Sequence, residues 1–595
     1  MQAGQPATDR MATLSDGRLV GNRVFGVCPS RSLAEVVLDW AMLFRWFRFF
    51  PSSVSSILLL VAENGTSCLI AALVYEGFSM VPSLHATSFN PPARLALSAL
   101  RETARARRCG SSSICSVVSG CSVLSGLVVA MAAIFASGLA GEVSRGLVAA
   151  ESTPVESALR EYVARPDTSY RWEKRREGTV LTAKFVELRL TSQTWRGTAW
   201  KHQLYVIKPV SAAPDTNKAF LFIGGGSWKP ELDEAGQDAK LPREADLLAL
   251  VAEQVKTPVA ILLQVPHQPL FDGKTEDAII AHTFQEYMKS RDPEWPLLLP
   301  MVKSAARAMD AIQEFAKQEW SFGIESFTVS GGSKRGWTTW LTGAVDRRAV
   351  AIAPIVIDVL NMGPQMRHQV DTWGAPSAMI QDYTRLGLDK MFETPNGRNL
   401  LRIVDPFSYR ELLTQPKLII LGTNDPYWPL DACNLYWDSL PGQKHLLYVP
   451  NNGHGVRDVP RLVGSLSALH HQAVTGKALP KMSWGFEKQA DGLVLRVKSE
   501  TPPRRVSAWT TAAATRDFRQ SQWKSDTADK DGDSYVCRLP LPTDGFAALF
   551  GELEFNGPND VPFYLSTNVR IIGEQGDAVP PTDKAGPKPA PASKP

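Results

Sequence analysis

Ser333 lies in a glycine-rich turn of the kind that a nucleophilic serine requires. Residues 327–337 read FTVSGGSKRGW, so a β-branched and aromatic run meets two glycines, then the serine, then a predicted helix. A serine held between a strand and a helix exposes its hydroxyl oxygen and lies at the helix N-terminus. The small residue expected two positions after the serine is replaced by Arg335, and Gly336 follows instead. The turn alone is compatible with a nucleophile and with a purely structural role.

A serine nucleophile also needs a histidine to take its proton and a carboxylate to hold that histidine. In the matching architecture the acid and then the histidine follow the serine, and each comes after the carboxyl end of a strand. Asp425 follows the predicted strand 417–422, and His454 follows the predicted strand 445–450. Ser333, Asp425 and His454 are therefore the predicted catalytic residues.

Other residues could fill two of these three roles. Asp358 ends the predicted strand 350–357 and is an alternative acid; otherwise it would be a substrate-binding or structural carboxylate. Among the nine histidines, His267 also follows a strand, and His368 lies in a long insertion. His454 differs from both because glycines flank it after a late strand, which favours it as the base.

Acyl transfer needs N–H donors for the oxyanion that develops on the substrate. The backbone N–H of Lys334 is one candidate by its position after the serine. The second donor is expected from the GGGSW turn at residues 224–228, at Gly226 or Ser227, because such a turn after an early strand is similar to the oxyanion loop of esterases. The turn does not have the spacing of a dinucleotide-binding motif.

Three further side chains near the predicted site could contact a substrate. If Lys334 and Arg335 point outward, they are solvated charges at a helix start, where the dipole disfavours them. If they point inward, they could hold a substrate carboxylate or strengthen oxyanion binding. Trp228 could form a wall of the pocket or simply pack in the core.

The elements that carry these residues alternate between strands and helices over residues 153–478. Their strands are apolar throughout, which is typical of a mostly parallel sheet with helices on both faces. We therefore predict an α/β-hydrolase-type domain, with residues 361–410 inserted as a lid over the site. Residues 480–573 show no helical period and predict a small β-sandwich, and residues 574–595 predict a disordered tail.

The N-terminal part of the chain has a different character. A basic stretch at 101–108 precedes the uncharged segment 109–141, which ends in small residues and is typical of a secretory signal. Its distance from Met1 leaves two expectations. Either translation begins downstream, so that residues 1–108 are not made or are unstructured, or residues 109–141 form a membrane anchor. Both predict that the following residues are exported.

The composition excludes several classes of protein. A chain of 595 residues with 44% hydrophobic and 21% charged content is globular and should form two or more domains. A net charge of +4 gives no indication of nucleic-acid binding. The seven cysteines contain no CxxC pair, so no zinc knuckle or disulfide framework is expected, and Cys433 and Cys537 are expected to be unpaired thiols.

Four stretches resemble the PhoPQ-activated pathogenicity-related protein family. They are residues 291–301 (RDPEWPLLLPM), 330–337 (SGGSKRGW), 353–361 (APIVIDVLN) and 421–428 (LGTNDPYW). The resemblance extends over about residues 153–572 and does not include residues 1–108. It implies an α/β-hydrolase fold in an exported protein, and it implies no particular substrate.

The sequence thus predicts an exported serine hydrolase that cleaves an ester or amide bond through an acyl-enzyme. This chemistry requires no metal and no organic cofactor, and the expected partner is a small-molecule or peptide substrate. Membrane contact is expected only if residues 109–141 stay uncleaved. The alternative is a secreted binding or signalling protein on the same scaffold, because a fold does not guarantee chemistry.

Overall fold

The computed structural model describes residues 56–64, 67–75, 154–211, 217–234, 240–320 and 322–574. The chain divides into two units, Met1–Gly138 and Leu139–Pro595. In the first unit, β1 (Ser56–Asn64) and β2 (Ser67–Tyr75) pair as an antiparallel hairpin, which falls within the segment predicted to be unstructured or not translated. The predicted signal segment 109–141 and the tail beyond residue 574 lie outside the described residues.

All remaining described elements belong to the second unit. Its helices are α1 (Pro154–Ala164), α2 (Ala245–Val255), α3 (Glu276–Ser290), α4 (Leu298–Glu319), α5 (Lys334–Val345), α6 (Met362–Trp373), α7 (Gln381–Thr384), α8 (Leu388–Met391), α9 (Pro395–Val404) and α10 (Val459–Thr475). Short 3-10 helices lie at Pro230–Asp233, Ala378–Ile380, Pro406–Leu412, Ala432–Leu435, Trp437–Ser439 and Pro558–Asp560.

The strands of the second unit are listed here in chain order. They are β3 (Arg171–Val180), β4 (Ala183–Trp195), β5 (Thr198–Lys208), β6 (Lys218–Ile223), β7 (Val259–Leu262), β8 (Ser326–Gly332), β9 (Ala349–Ile355), β10 (Lys417–Gly422), β11 (Lys444–Val449), β12 (Met482–Gln489), β13 (Gly492–Ser499), β14 (Arg505–Ala513), β15 (Lys524–Thr527), β16 (Asp529–Asp531), β17 (Ser534–Pro540), β18 (Phe546–Asn556), β19 (Pro562–Ser566) and β20 (Arg570–Gly573).

A 14-stranded sheet forms the centre of this unit, and its middle strands run parallel in the order β7-β6-β8-β9-β10-β11. The antiparallel strands β5, β4 and β3 extend it beyond β7. After β6 the chain adds β7 on one side and β8 on the other. The carboxyl end of β6 is therefore a switch point, which is where open α/β sheets bind their ligands.

The middle strands bury side chains on both faces of the sheet. In β6, Leu221 lies in one apolar core together with Ile312 of α4. Its neighbour Phe220 lies in the opposite core, with Leu248 of α2 and Leu466 of α10. Successive side chains of a strand point to opposite faces, so an apolar strand needs helices on both sides. This arrangement confirms the predicted α/β fold class.

The C-terminal strands form two facing layers, as expected for the predicted β-sandwich, but one of these layers has an unpredicted connection. β12, β13, β17 and β16 make a four-stranded sheet, and Leu495 of β13 lies over Gly551 of β18 in the facing layer. That facing layer is part of the central sheet, because β19 pairs antiparallel with β11 through Leu446 and Ser566. The sandwich thus shares one layer with the central sheet and begins beside β11, at the edge of the parallel strands.

Two further properties of the described residues concern their helices and their cysteines. No helix among them combines the length and the apolar character needed to cross a membrane. Cys433 and Cys537 are free and buried, as predicted.

Candidate active site

Ser333 occupies the sharp turn between β8 and α5. Its backbone has φ 56° and ψ −128°, a conformation that a residue with a side chain rarely adopts. A Cβ atom on Gly331 would lie 2.8 Å from the carbonyl oxygen of Arg335. A Cβ atom on Gly336 would lie 3.0 Å from the carbonyl oxygen of Ile355, the last residue of β9, and 2.6 Å from Cγ2 of Ile357 just beyond it. The close contact with β9 therefore falls at Gly336, which explains why Arg335 is tolerated at the usual glycine position.

The structure brings Ser333, His454 and Asp425 into one hydrogen-bonded chain. Ser333 Oγ lies 2.8 Å from His454 Nε2. His454 Nδ1 lies 2.9 Å from Asp425 Oδ2 and 3.2 Å from its Oδ1. Because the carboxylate can only accept, it selects the tautomer with a proton on Nδ1, and Nε2 is left free to accept from the serine hydroxyl.

Tyr427 holds the acid and the imidazole from the side. Its backbone N–H donates to Asp425 Oδ1 at 2.9 Å. Its ring stacks on His454 with the ring centroids 4.1 Å apart and an interplanar angle of 29°. The histidine ring is therefore fixed by a hydrogen bond at one end and by an aromatic face along its side.

The loops that carry the acid and the histidine bind each other directly. Asn424 N–H donates to the carbonyl of Asn452 at 2.9 Å, and Asn451 N–H donates to Thr423 Oγ1 at 2.9 Å. A Cβ atom on Gly422 would lie 2.5 Å from the Asn452 carbonyl oxygen, so the close approach of the two loops requires glycine there. The relative position of Asp425 and His454 is therefore set by backbone contacts as well as by the bond between their side chains.

A loop of the C-terminal sandwich braces both catalytic loops, which the sequence analysis did not predict. The side-chain amide of Asn424 donates to the Ser521 carbonyl at 2.7 Å and to the Phe518 carbonyl at 3.2 Å. Asn451 exchanges two hydrogen bonds with the backbone of Trp523, at 2.7 and 3.1 Å. Nothing in the sequence around Asn424 or Asn451 indicates backbone partners so distant in the chain.

Asp358, the alternative acid, lies elsewhere. It is buried at 4% exposure, and the carboxylate that contacts His454 is Asp425. Burial raises the pKa of Asp358 to about 7, and the negative charges of Asp425 and Asp431 act in the same direction. Its Oδ1 has no hydrogen-bond partner within the described residues. Asp358 is therefore a buried carboxyl behind the site, without access to a substrate.

Lys334 and Arg335 neither point to solvent nor present free charges to a substrate. Arg335 makes a bidentate ion pair with Glu276, with both N–O distances 2.8 Å. Lys334 Nζ lies 2.8 Å from Glu276 Oε2 and 3.4 Å from Asp277 Oδ2. The substrate-binding role predicted for Arg335 is corrected, since both of its terminal nitrogens are held by an internal carboxylate. Glu276 lies 59 residues earlier in the chain, so no local pattern could identify it.

Burial of Glu276 would by itself raise its pKa, but the hydrogen bonds and charges of Arg335 and Lys334 hold that pKa well below its usual range. The two cations at the start of α5 are thus offset by the two acidic residues at the start of α3. This removes the dipole penalty expected for cations at a helix N-terminus.

The glycine turn after β6 contains the remaining predicted residues. The N–H groups of Gly226, Ser227 and Lys334 donate to no group in the described part of the chain, as oxyanion donors would have to. Trp228 does not line the pocket; its indole stacks on His267, with ring centroids 6.2 Å apart, and its backbone N–H donates to the Gln268 carbonyl. Of the two alternatives for Trp228, the structure supports packing.

A pocket opens beside Ser333 beneath the insertion between β9 and β10. Its walls are mainly apolar, and the insertion contributes several of the apolar side chains: Met362, Met366, Ile380 and Phe392. The charged groups in the lining are Lys334, Asp277 and Asp389, besides the histidine. Asp389 Oδ1 is buried and accepts no hydrogen bond from the described residues. No cluster of metal-ligating side chains occurs in the same part of the chain.

Comparisons with known proteins place this geometry in context. Residues 159–519 match the model of the PhoPQ-activated pathogenicity-related protein family. Autocrine proliferation repressor protein A of Dictyostelium discoideum is 32% identical over 442 residues, which cover 68% of this chain and 86% of that protein.

Two solved esterase structures show partial similarity. Acetyl xylan esterase 1 from Thermoanaerobacterium sp. JW/SL YS485 has 15% identity and a TM-score of 0.37, covering 51% of this chain and 90% of that one. A glucuronoyl esterase from Solibacter usitatus has 13% identity and a TM-score of 0.31, covering 52% of this chain and 89% of that one.

Proposed function

This chain belongs to the PhoPQ-activated pathogenicity-related protein family, and we propose that it is a serine hydrolase that cleaves an ester or amide bond. One observation carries the proposal: a continuous hydrogen-bonded path from Asp425 through His454 to Ser333, with the serine on a strained turn. A hydroxyl becomes nucleophilic when a base within hydrogen-bonding reach can take its proton.

In the proposed reaction, Ser333 Oγ attacks the substrate carbonyl while His454 Nε2 takes the hydroxyl proton. Asp425 stabilises the imidazolium that forms and stays ionised itself. The imidazolium then gives the proton to the leaving oxygen or nitrogen, and the acyl-enzyme remains. The same imidazole then takes a proton from a water molecule, which attacks the acyl carbonyl. The imidazolium returns the proton to Ser333 Oγ as the bond to the serine breaks and the acid is released. The backbone N–H groups of Lys334 and of Gly226 or Ser227 are the proposed oxyanion donors.

The pocket favours uncharged or cationic acyl groups. Apolar side chains supply most of its walls. The charges of Lys334 and Asp277 are balanced within the network described above, whereas Asp389 has no ion-pair partner among the described residues. An anionic acyl group would therefore lose its hydration beside an unpaired carboxylate, at a cost in binding free energy.

We further propose that the enzyme acts outside the cytoplasm. The support is the sequence of residues 101–141, a basic stretch followed by an uncharged segment that ends in small residues. N-terminal sequencing of the exported protein tests this proposal. A mature start near Gly141 is expected, and a cytoplasmic protein with an intact N-terminus would contradict it.

The test of the enzymatic proposal is active-site labelling of the purified protein with a fluorophosphonate, followed by peptide mass spectrometry. An adduct on Ser333 is expected. The second candidate is a secreted signalling protein, which is supported by the similarity to a relative named as an autocrine proliferation repressor. A folded protein that forms no adduct at Ser333 and hydrolyses no ester would favour this second candidate.

A further inference from the structure

Arg335 directly joins the nucleophile turn to the glycine loop after β6. It lies two residues after Ser333, and its side chain is 11% exposed. Its Nε donates to the Val265 carbonyl at 2.5 Å, in the segment that follows β7. A Cβ atom on Gly225 would lie 2.6 Å from Arg335 Nη2 and 2.7 Å from Cζ. The guanidinium is thus in contact with the loop backbone, at a position where only glycine leaves room.

Glu276 and Gln268 extend this contact around the loop. Gln268, which is 3% exposed, donates from its side-chain amide to Glu276 Oε1 at 2.7 Å and to the Gly226 carbonyl at 3.1 Å. Its side-chain oxygen accepts from the Glu276 N–H at 2.8 Å. The carboxylate that holds Arg335 is therefore also connected to the far side of the glycine loop. We call Arg335, Glu276 and Gln268 the buried brace; Arg335 and Gln268 are the buried members, whereas the Glu276 side chain is 39% exposed.

The hydrogen bonds of the loop carbonyls determine where its N–H groups point. The Gly225 carbonyl accepts from Gln264 N–H at 2.9 Å, and the Gly226 carbonyl accepts from Gln268. In a trans peptide the carbonyl of one residue and the N–H of the next point in opposite directions. The N–H groups of Gly226 and Ser227 therefore point away from the donors Gln264 and Gln268, and they have no partner in the described residues.

We propose that Arg335 is a positioning residue, and that the buried brace holds the oxyanion donors of the glycine loop at a fixed distance from Ser333. This inference rests on the proposed function. Lysine cannot replace arginine here, because a single ammonium cannot donate to both carboxylate oxygens of Glu276 and to the Val265 carbonyl in one plane. The brace acts on the transition state, since the oxyanion forms only there.

The test compares Arg335→Lys with a matched control, Arg348→Lys. Arg348 is also partly buried and bridges Asp310 and Asp346, but it lies outside the site. The readouts are kcat and KM for p-nitrophenyl butyrate, the inhibition constant of a trifluoromethyl ketone, and the melting temperature. Gln268→Met is a second variant that breaks the connection to Gly226 without removing a charge.

We expect kcat of Arg335→Lys and Gln268→Met to fall at least about tenfold with KM within about twofold, because displaced donors weaken only transition-state binding. The inhibition constant of the ketone should rise by the same factor as kcat/KM falls. Arg348→Lys should match the wild type in kcat, KM and the inhibition constant. If the brace were purely structural, its variants would have a lower melting temperature, but the inhibition constant of the ketone would not change in proportion to kcat/KM.

Two outcomes would overturn the inference. If the wild type is active and both brace variants fold with kcat within twofold of it, the brace does not position the donors. If the wild type hydrolyses no ester and Ser333 forms no fluorophosphonate adduct, the proposed function fails and the inference fails with it. The two failures can be distinguished: if the wild type is labelled at Ser333 and the brace variants keep its kcat, the inference fails while the proposed function stands.

Discussion

The side-chain amide of Asn424 lies 2.7 Å from the carbonyl oxygen of Ser521 and donates a hydrogen bond to it. Asn424 precedes the acid Asp425, whereas Ser521 lies in the loop between β14 and β15 of the C-terminal sandwich. The sandwich therefore reaches the catalytic loops, although it contributes no side chain to the lining of the pocket. Its structural role in the proposed enzyme is to hold the acid loop in place.

Replacing Asn424 with alanine should lower both stability and activity. The Ser521 and Phe518 carbonyls, which accept part-buried hydrogen bonds from Asn424, lose their donor, which costs about 1–3 kcal/mol in the free energy of unfolding. We also expect kcat to fall several-fold because the acid loop is less well fixed. Chemical denaturation and ester hydrolysis measure the two effects. Asn556→Ala, at an exposed position at the end of β18, is the control and should change neither; equal effects in both variants would contradict the bracing role.

Replacing Ser333 with alanine should abolish ester turnover and fluorophosphonate labelling. The side chain is small, and its one hydrogen bond among the described residues is to His454, so the free energy of unfolding should stay within about 1 kcal/mol of the wild-type value. The exposed Ser408 provides a control, because Ser408→Ala should retain full activity. Full turnover by a folded Ser333→Ala protein would exclude Ser333 as the nucleophile.

Asp425→Asn and Asp358→Asn should differ strongly in activity. An asparagine at 425 can donate to His454 Nδ1 and so favours the wrong tautomer, which in serine hydrolases lowers kcat by about four orders of magnitude. Asp358 does not contact the imidazole, so Asp358→Asn should keep kcat within a few-fold. Steady-state kinetics with one ester distinguish them. The reverse order of effects would transfer the role of the acid to Asp358.

Asp358 should also make stability depend on pH. Its folded-state pKa of about 7 is above the usual 3.8, so the folded state binds a proton that the unfolded state has released. The contribution of Asp358 to stability is complete below about pH 4 and is lost as the pH rises to about 7. Relative to Asp358→Asn, the wild type should therefore lose stability over this interval. Parallel denaturation curves for the two proteins across that range would show that Asp358 titrates normally.

Asp389→Asn should change the choice of substrate rather than the chemistry. Removing the unpaired carboxylate should improve kcat/KM for an anionic acyl group, such as a hemisuccinate ester, relative to a neutral ester of the same length. One pair of like charges a few ångströms apart near a protein surface costs about a tenfold loss or more. Asp382→Asn, on the same insertion but outside the pocket lining, serves as the control. An unchanged ratio of the two esters would show that Asp389 does not contact the acyl group.

The positions of Ser333, Asp425 and His454 could be predicted because each depends on a local pattern. Each follows an apolar strand directly, and parallel strands place their carboxyl ends at the same edge of a sheet. The environment of Arg335 could not be predicted in this way. Whether its guanidinium faces solvent or the interior depends on Glu276. The two residues are brought together only by the tertiary packing of α3 against the turn between β8 and α5.

The C-terminal strands show the same limit at the level of the fold. Their alternation and turns predict a sandwich, but the pairing of β19 with β11 rests on the register of Leu446 and Ser566, which are far apart in the chain. Likewise Trp228 is aromatic and close in sequence to the glycine turn, yet its packing on His267 depends on the loop after β7. Contacts of this kind arise from tertiary packing and leave no periodic signal.

The crowding around Gly336 has a consequence for recognising related enzymes by pattern. A search that demands glycine two positions after the serine would pass over this chain, although its turn has the geometry that such a pattern is meant to describe. In this chain the helix contacts the neighbouring strand three residues after the serine instead of two. Glycine is therefore needed at position 336, and position 335 can hold an arginine. A pattern written as G-G-S-x-R-G would retrieve chains in which this shift has occurred.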